Sequence, residues 1–416
     1  MKHLLLATVF SCAFCAVPVW ADTMESSFSS EQQTTVSTHK KMTARLKHDA
    51  FRHALAETES LPAKYADFKQ WLNDKTGFSY SLTASFMPQR GAPNGKGTAW
   101  QSQYYGSANW NMFQSEKFGS LSAQAAYTLV RNWGKSGNDI GNRIGVITSI
   151  NDYPSNSNTF DQLSLTYQFP EKLKWLSVTL GQFPMYNFDG TAYDSNQQIN
   201  FINYALSQNG SSAYSTASLG GYVTIAPNDE WSVSAGFQDA YNITGTAIST
   251  SHFGKKKYTS FGSISYTPTI KEWGSGEYSM MVYYQPSVPA QPNNTIGWSL
   301  NAMQNFGKLG LFARINGATD SPETIKQSYV LGGVYNNPLN RNALDQIGLA
   351  VAVNKLNKGV NGSGTRSVEN VFEAYWAWGI SNFLTITPDI QFYVNPGANQ
   401  KVHTATVASL RATVMF

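Results

Sequence analysis

The chain has 416 residues, of which 42% are hydrophobic, 13% aromatic and only 13% charged, with a formal net charge of +4. Soluble domains average about 25% charged residues, so this balance argues against an ordinary soluble domain, and so small a net charge gives no basis for nucleic-acid binding. Beyond the first residues no stretch reaches the roughly 18 continuous apolar residues of a membrane helix. Any membrane crossing must then be made by strands closed into a barrel, because only helices and closed barrels pair every backbone group in lipid.

The opening "MKHLLLATVFSCAFCAVPVWA" places Lys2 before an apolar run over residues 4–19 and a small residue at Ala21. It reads as a secretory signal removed after Ala21. Both cysteines, Cys12 and Cys15, lie within it. Phe10 and Phe14 stand where a lipid-anchoring signal wants small residues, which argues against an anchor. The exported chain then has no thiol or disulfide chemistry, which suits passage through an oxidising compartment.

Residues 22–75 form a charged segment. "HKKMTARLKHDAFRHALAETES" (residues 39–60) predicts one helix, broken by Ser60 and Pro62, and "AKYADFKQWLND" predicts a further helical turn or two. His39, His48 and His53 lie nine and five residues apart, not the three or four that would stack a metal pair on one helix face.

From Thr76 onward the texture becomes period-2, broken by Gly, Asn, Asp and Pro clusters. In "GFSYSLTASF", Phe78, Tyr80, Leu82, Ala84 and Phe86 oppose serines and a threonine. "TIGWSLNAMQ" sets Ile296, Trp298, Leu300 and Ala302 against Gly297, Ser299, Asn301 and Met303. "DQIGLAVAVN" sets Ile347, Leu349, Val351 and Val353 against Gln346, Gly348, Ala350 and Ala352. On this register an Asp is tolerated at Gly348 and excluded at Leu349. About seventeen such windows occur, and closed bacterial barrels have even strand numbers. The prediction is an all-β fold: a transmembrane antiparallel barrel of sixteen strands over residues 76–416. The window at 141–151, "GNRIGVITSIN", becomes a loop strand or part of its neighbour. Trp100, Trp110, Trp133, Trp175, Trp231, Trp273, Trp376 and Trp378 fall at strand ends, as two interfacial girdles require. Residues 184–216 lack alternation. A connection this long is usually functional. It contains a candidate short helix, "QQINFINYALSQ", and is placed to fold inward and narrow the pore.

A charge on the lipid face at mid-membrane costs about 2–4 kcal/mol. Arg314, opposite Leu311, Ala313 and Ile315, and Arg411, opposite Leu410 and Ala412, are therefore assigned to the lumen. Glu373 and Tyr375 follow if Phe372, Ala374 and Trp376 face lipid. The plainer reading of each charge is a partner in a structural ion pair across strands. "GAPNGKGT" has three residues between its glycines where a phosphate loop needs four, and joins two strands. His252 and His403 have no convergent partner for nucleophilic catalysis. No catalysis, metal or cofactor is expected.

The segments "VTLGQFPMYNFDG", "NFINYAL" and "LGGYVTIAPNDEWSVSAGFQDA", with "VENVFEAYWAWGISNFLTITPDIQFYVNPGANQ" and the terminal strand, resemble carbohydrate-selective porins of the OprB type. The resemblance is strongest over 365–416. It implies a sixteen-stranded outer-membrane channel passing sugars by diffusion, with helical material ahead of the barrel. It carries pore roles to Glu373, Asp389, Gln391, Asn395 and Arg411, and it marks the terminal Phe416 as what such barrels present to their insertion machinery. Tyr375 is placed to stack on sugar rings. The implied partners are sugars, outer-membrane lipids and that machinery. The alternative solutes are a siderophore or other ferric chelate, or an aromatic acid.

Overall fold

The computed structural model describes residues 60–94 and 97–416. The signal segment, the helix expected over 39–60 and the three histidines lie outside the described residues, except that helix's last residue.

Alternation of apolar and small polar side chains folds here as a closed antiparallel barrel. Its first strands are β1 (Phe78–Ala92), β2 (Ala99–Ser115), β3 (Gly119–Gly134) and β4 (Ser157–Gln168). Then come β5 (Leu176–Phe183), β6 (Ser218–Ile225), β7 (Trp231–Asp239) and β8 (Tyr258–Tyr266). The two-residue β9 (Thr269–Ile270) edges β10 (Gly274–Gln285), which is followed by β11 (Thr295–Phe306), β12 (Leu309–Thr319) and β13 (Ile325–Asn336). The wall ends with β14 (Gln346–Leu356), β15 (Val368–Gly379), β16 (Leu384–Val394) and β17 (Thr404–Met415). Without β9 these are the sixteen wall strands that the parity argument requires, each paired with its sequence neighbour. β17 closes on β1 through Thr83↔Met415 to Ala92↔Thr406, and Phe416 exchanges both backbone hydrogen bonds with Leu82.

The register puts the predicted apolar sets outside. Leu82, Phe86, Ile296, Leu300, Ile347, Leu349 and Leu410 are exposed, whereas Ser81, Ser299, Asn301, Ala350 and Arg411 face inward and are buried. The girdle tryptophans are exposed except Trp378, whose ring lies beneath the Arg341 guanidinium at 4.0 Å. One rim carries short turns such as 116–118 and 307–308 together with the C-terminus. The other carries the long connections 135–156, 184–217 and 240–257.

Three local expectations change. The helix expected to last a turn or two is α1 (Ser60–Thr76). The 141–151 window is not a strand. Ser136 and Asp139 form a reciprocal capping box that starts α2 (Gly137–Ile144), which Gly145 stops at φ 80°, a left-handed conformation that glycine adopts without a Cβ penalty. Ile140 and Ile144, four apart, share its buried face. Finally, Gly348 cannot accept a side chain. The ring of Tyr375, its cross-strand partner on β15, lies over it, and any Cβ would overlap that ring. Glycine is there for close approach, not because the lumen is open.

The register is tested by paired lysines. Leu300→Lys, outward in the middle of β11, should cost about 2–4 kcal/mol and abolish assembly. Ser263→Lys, inward and part-exposed on β8, should assemble normally, as judged by heat-modifiable gel mobility. Equal yields would refute the assignment of faces.

Candidate functional site

A sixteen-stranded barrel is too wide for its wall side chains to fill. Two of the long connections occupy the lumen instead. Residues 184–217 cross it, and residues 135–156 pack beside them through Ile140, Ile144, Val146 and Ile150, all buried.

The crossing loop has few regular hydrogen bonds of its own. A 3-10 turn at Met185–Phe188 opens it, and its α-helical turn, α3 (Tyr204–Ser207), is started by Asn203, whose side chain accepts from the Ala205 amide. Apolar residues anchor it first: Phe201 meets Tyr375 edge-on at 5.0 Å and Phe312 at 5.5 Å. Wall side chains supply the missing polar partners. Arg314 on β12 donates to the Asp194 carboxylate at 2.9 Å, the Asp194 carbonyl at 3.0 Å and the Ala205 carbonyl at 2.8 Å. Arg411 on β17 donates to the carbonyls of Gln197, Ile199 (2.9 Å) and Asn200 (2.8 Å). Glu373 on β15 accepts from the amides of Ile202 and Asn203. Gln391 on β16 donates to the Ile150 carbonyl at 2.9 Å and accepts from Asn203 at 3.3 Å. Asp389 lies against Glu373, with Ser409 and Arg411 beside it.

Five of the six predicted lumen residues therefore converge: Glu373, Tyr375, Asp389, Gln391 and Arg411 form one inward patch on β15–β17, and Arg314 holds the loop from β12. Arg314, Arg411 and Glu373 are each 1% exposed, so the side chains are covered by the loop they bind. Asn395 stands apart, in the turn after β16 at φ 59°.

Sequence reading missed Glu369, which accepts from the amides of Ile147, Thr148 and Gly397 at 2.6–2.9 Å and fastens the 135–156 loop. It also missed Tyr283, whose hydroxyl accepts from the Ala213 amide at 2.8 Å. Both sit at inward parity, which was the available signal.

What the loops leave toward the lumen is polar and aromatic. A small cleft is lined by Tyr186, Asp189, Ser195, Gln208 and Tyr214. Tyr153, Tyr204, Asp152 and Glu323 are also part-exposed residues. Asp152 accepts from Ser207 and from Gln208, tying the two loops together. Burial pushes both Asp152 and Glu323 up to about 7. At neutral pH each is thus partly protonated and serves as donor as well as acceptor. Among the described residues no group of three His, Cys, Asp or Glu converges as a metal site.

Comparison with known proteins agrees with this architecture. The family model for the carbohydrate-selective porin, OprB family, matches residues 122–416. Porin AaxA of Chlamydia felis (strain Fe/C-56) is 40% identical over 332 residues, covering 79% of this chain and 74% of that protein. Porin AaxA of Chlamydia pneumoniae is 39% identical over 350 residues, covering 82% and 79%. The high-pH structure of Pseudomonas putida OprB superposes with a TM-score of 0.70 over 87% of this chain and 99% of that one. At 18% identity it speaks for the fold.

Two predictions follow from the loop's fastening. Arg314→Met leaves Asp194 buried without its partner, a change that typically costs about 3–5 kcal/mol. Single-channel conductance should rise and residues 184–217 should become protease-sensitive, while the barrel keeps its heat stability; Asp194→Asn in the same chain should restore much of the closed behaviour. The second concerns pH. An acid with a raised docked-state pKa stabilises docking below its unfolded value and loses that contribution as pH rises through the raised one. Docking should therefore weaken between about pH 4 and pH 7 and level off above, with conductance rising over the same window. Asp152→Asn with Glu323→Gln should flatten the profile.

Proposed function

The chain belongs to the OprB family of carbohydrate-selective porins and is a porin with an outer-membrane barrel fold; from that premise we propose that the solutes it passes by diffusion are carbohydrates. The observation that carries this reading is the chemistry left facing the lumen. Four part-exposed tyrosines, Tyr153, Tyr186, Tyr204 and Tyr214, stand among hydroxyls, amides and two carboxyls, Asp152 and Glu323, that burial pushes up to about 7. Flat rings with donors and acceptors suit neutral, hydroxylated rings, and weak contacts let a solute leave. Arg411 is bound to loop carbonyls, and Arg314, which borders the cleft, is paired with the Asp194 carboxylate as well as two loop carbonyls, which leaves little net positive charge to attract an anion. That weighs against ferric chelates and aromatic acids.

In this reading Arg314, Arg411, Glu373, Asp389 and Gln391 set the aperture by holding the loop, and Tyr375 supports it from below Phe201. Residues 1–21 direct export and the aromatic C-terminus is read by the insertion machinery. Fold and family point to a channel rather than an enzyme.

Liposome swelling tests it. Mono- and disaccharides should enter faster than anionic solutes of similar mass. Tyr204→Ala and Tyr214→Ala should reduce that preference while general conductance holds or rises. Rates that follow mass alone, or preferential entry of a chelate, would overturn the proposal.

A further inference from the structure

We propose that α1 is an interfacial anchor, seated in the headgroup layer of the leaflet at the short-turn rim, with anionic phospholipid as its partner. The proposal does not depend on which solute passes.

The helix lies against the outside of the barrel. The Tyr65 hydroxyl donates to the Tyr80 hydroxyl at 3.0 Å, and its ring meets Phe416 edge-on at 6.3 Å. The Lys69 ammonium sits 5.1 Å from the centre of the Tyr80 ring, and the Trp110 indole donates to the Thr76 carbonyl at 3.0 Å. Tyr80, Trp110 and Phe416 all carry outward parity at the rim where hydrocarbon meets headgroups. A helix docked on them lies at that depth and not in the lumen.

Helical spacing then sorts the remaining side chains into rows. Tyr65, Lys69, Leu72 and Thr76 face the barrel. Beside them Lys64, Phe68, Trp71 and Lys75 form a second row at steps of four, three and four. Phe68 and Trp71 stack at 6.0 Å and are 47% and 54% exposed. Asp67, Gln70 and Asp74, all exposed, form a third row. Aromatic rings between two lysines, continuous with the lipid-facing girdle and bordered on one side by the acidic row, suit a helix lying in the interface plane of an anionic surface. The lysines reach headgroup phosphates while the rings sink beside Phe416.

Spin labels test the rows in the exported chain, which carries no cysteine once residues 1–21 are removed. Phe68→Cys, Trp71→Cys, Asp67→Cys and Asp74→Cys are labelled one at a time and reconstituted in phosphatidylethanolamine–phosphatidylglycerol vesicles. Labels at 68 and 71 should collide several-fold more with oxygen, relative to a water-soluble nickel chelate, than labels at 67 and 74. Exchanging phosphatidylglycerol for phosphatidylcholine, or adding Lys64→Glu with Lys75→Glu, should shrink that contrast. Equal collision ratios at all four sites would place the row in water and overturn the proposal. Protection of 68 and 71 from both reagents would assign the row to a protein partner instead. A contrast insensitive to lipid charge would remove anionic lipid as the partner.

Discussion

A sheet edge left open in hydrocarbon would leave a row of amides and carbonyls without partners, each at a cost of several kcal/mol. Pairing β17 with β1 removes that edge, and the rest of the protein depends on the circumference it sets. Sixteen strands enclose more space than their inward side chains can fill. The surplus is taken up by connecting loops, and those loops bring the functional chemistry into the pore.

The loops pose the same problem the barrel solves. A segment with little regular structure, placed in a partly dry lumen, carries backbone groups that need partners. The wall answers with strong polar groups: charged guanidiniums for the carbonyls of residues 194–205, and carboxyl oxygens for the amides of 147–148 and 202–203. Charge-assisted bonds of this kind are worth about 1.5–3 kcal/mol each, against about 1 kcal/mol for neutral ones. Charged residues are scarce in this chain, and several of those inside the barrel serve as fasteners. The part-exposed residues on the lumen loops, Tyr153, Tyr186, Tyr204 and Tyr214 among them, are largely uncharged.

The same division of labour appears outside. Lipid-facing positions are predominantly apolar between the rims, where aromatic rings take over. α1 docks at one rim, on rings that the last strand and the first strand share. The C-terminal phenylalanine therefore belongs at once to barrel closure, through Leu82, and to the helix that precedes the barrel.

Alternation, with the even-number rule for closed barrels and the cost of a charge in lipid, determined the barrel, its sixteen strands and the inward placement of Arg314, Glu373, Tyr375 and Arg411. The pleat admits only two faces, and lipid tolerates no charge on one of them. The motif resemblance added Asp389 and Gln391. Period-2 patterning could not tell a strand from α2, because a capped two-turn helix with isoleucines four apart also offers apolar residues at even spacing. It could not show that Gly348 lies under Tyr375, since a vacancy and a covered position look alike in a sequence. Only the tertiary structure decided whether the inward charges meet solute or loop. That depends on where residues 184–217 pack, a contact made across more than a hundred residues of chain between groups with no shared periodicity. The loop's own lining, Tyr186, Tyr204 and Tyr214, was out of reach for the same reason: without regular structure, nothing in their spacing says which way they point.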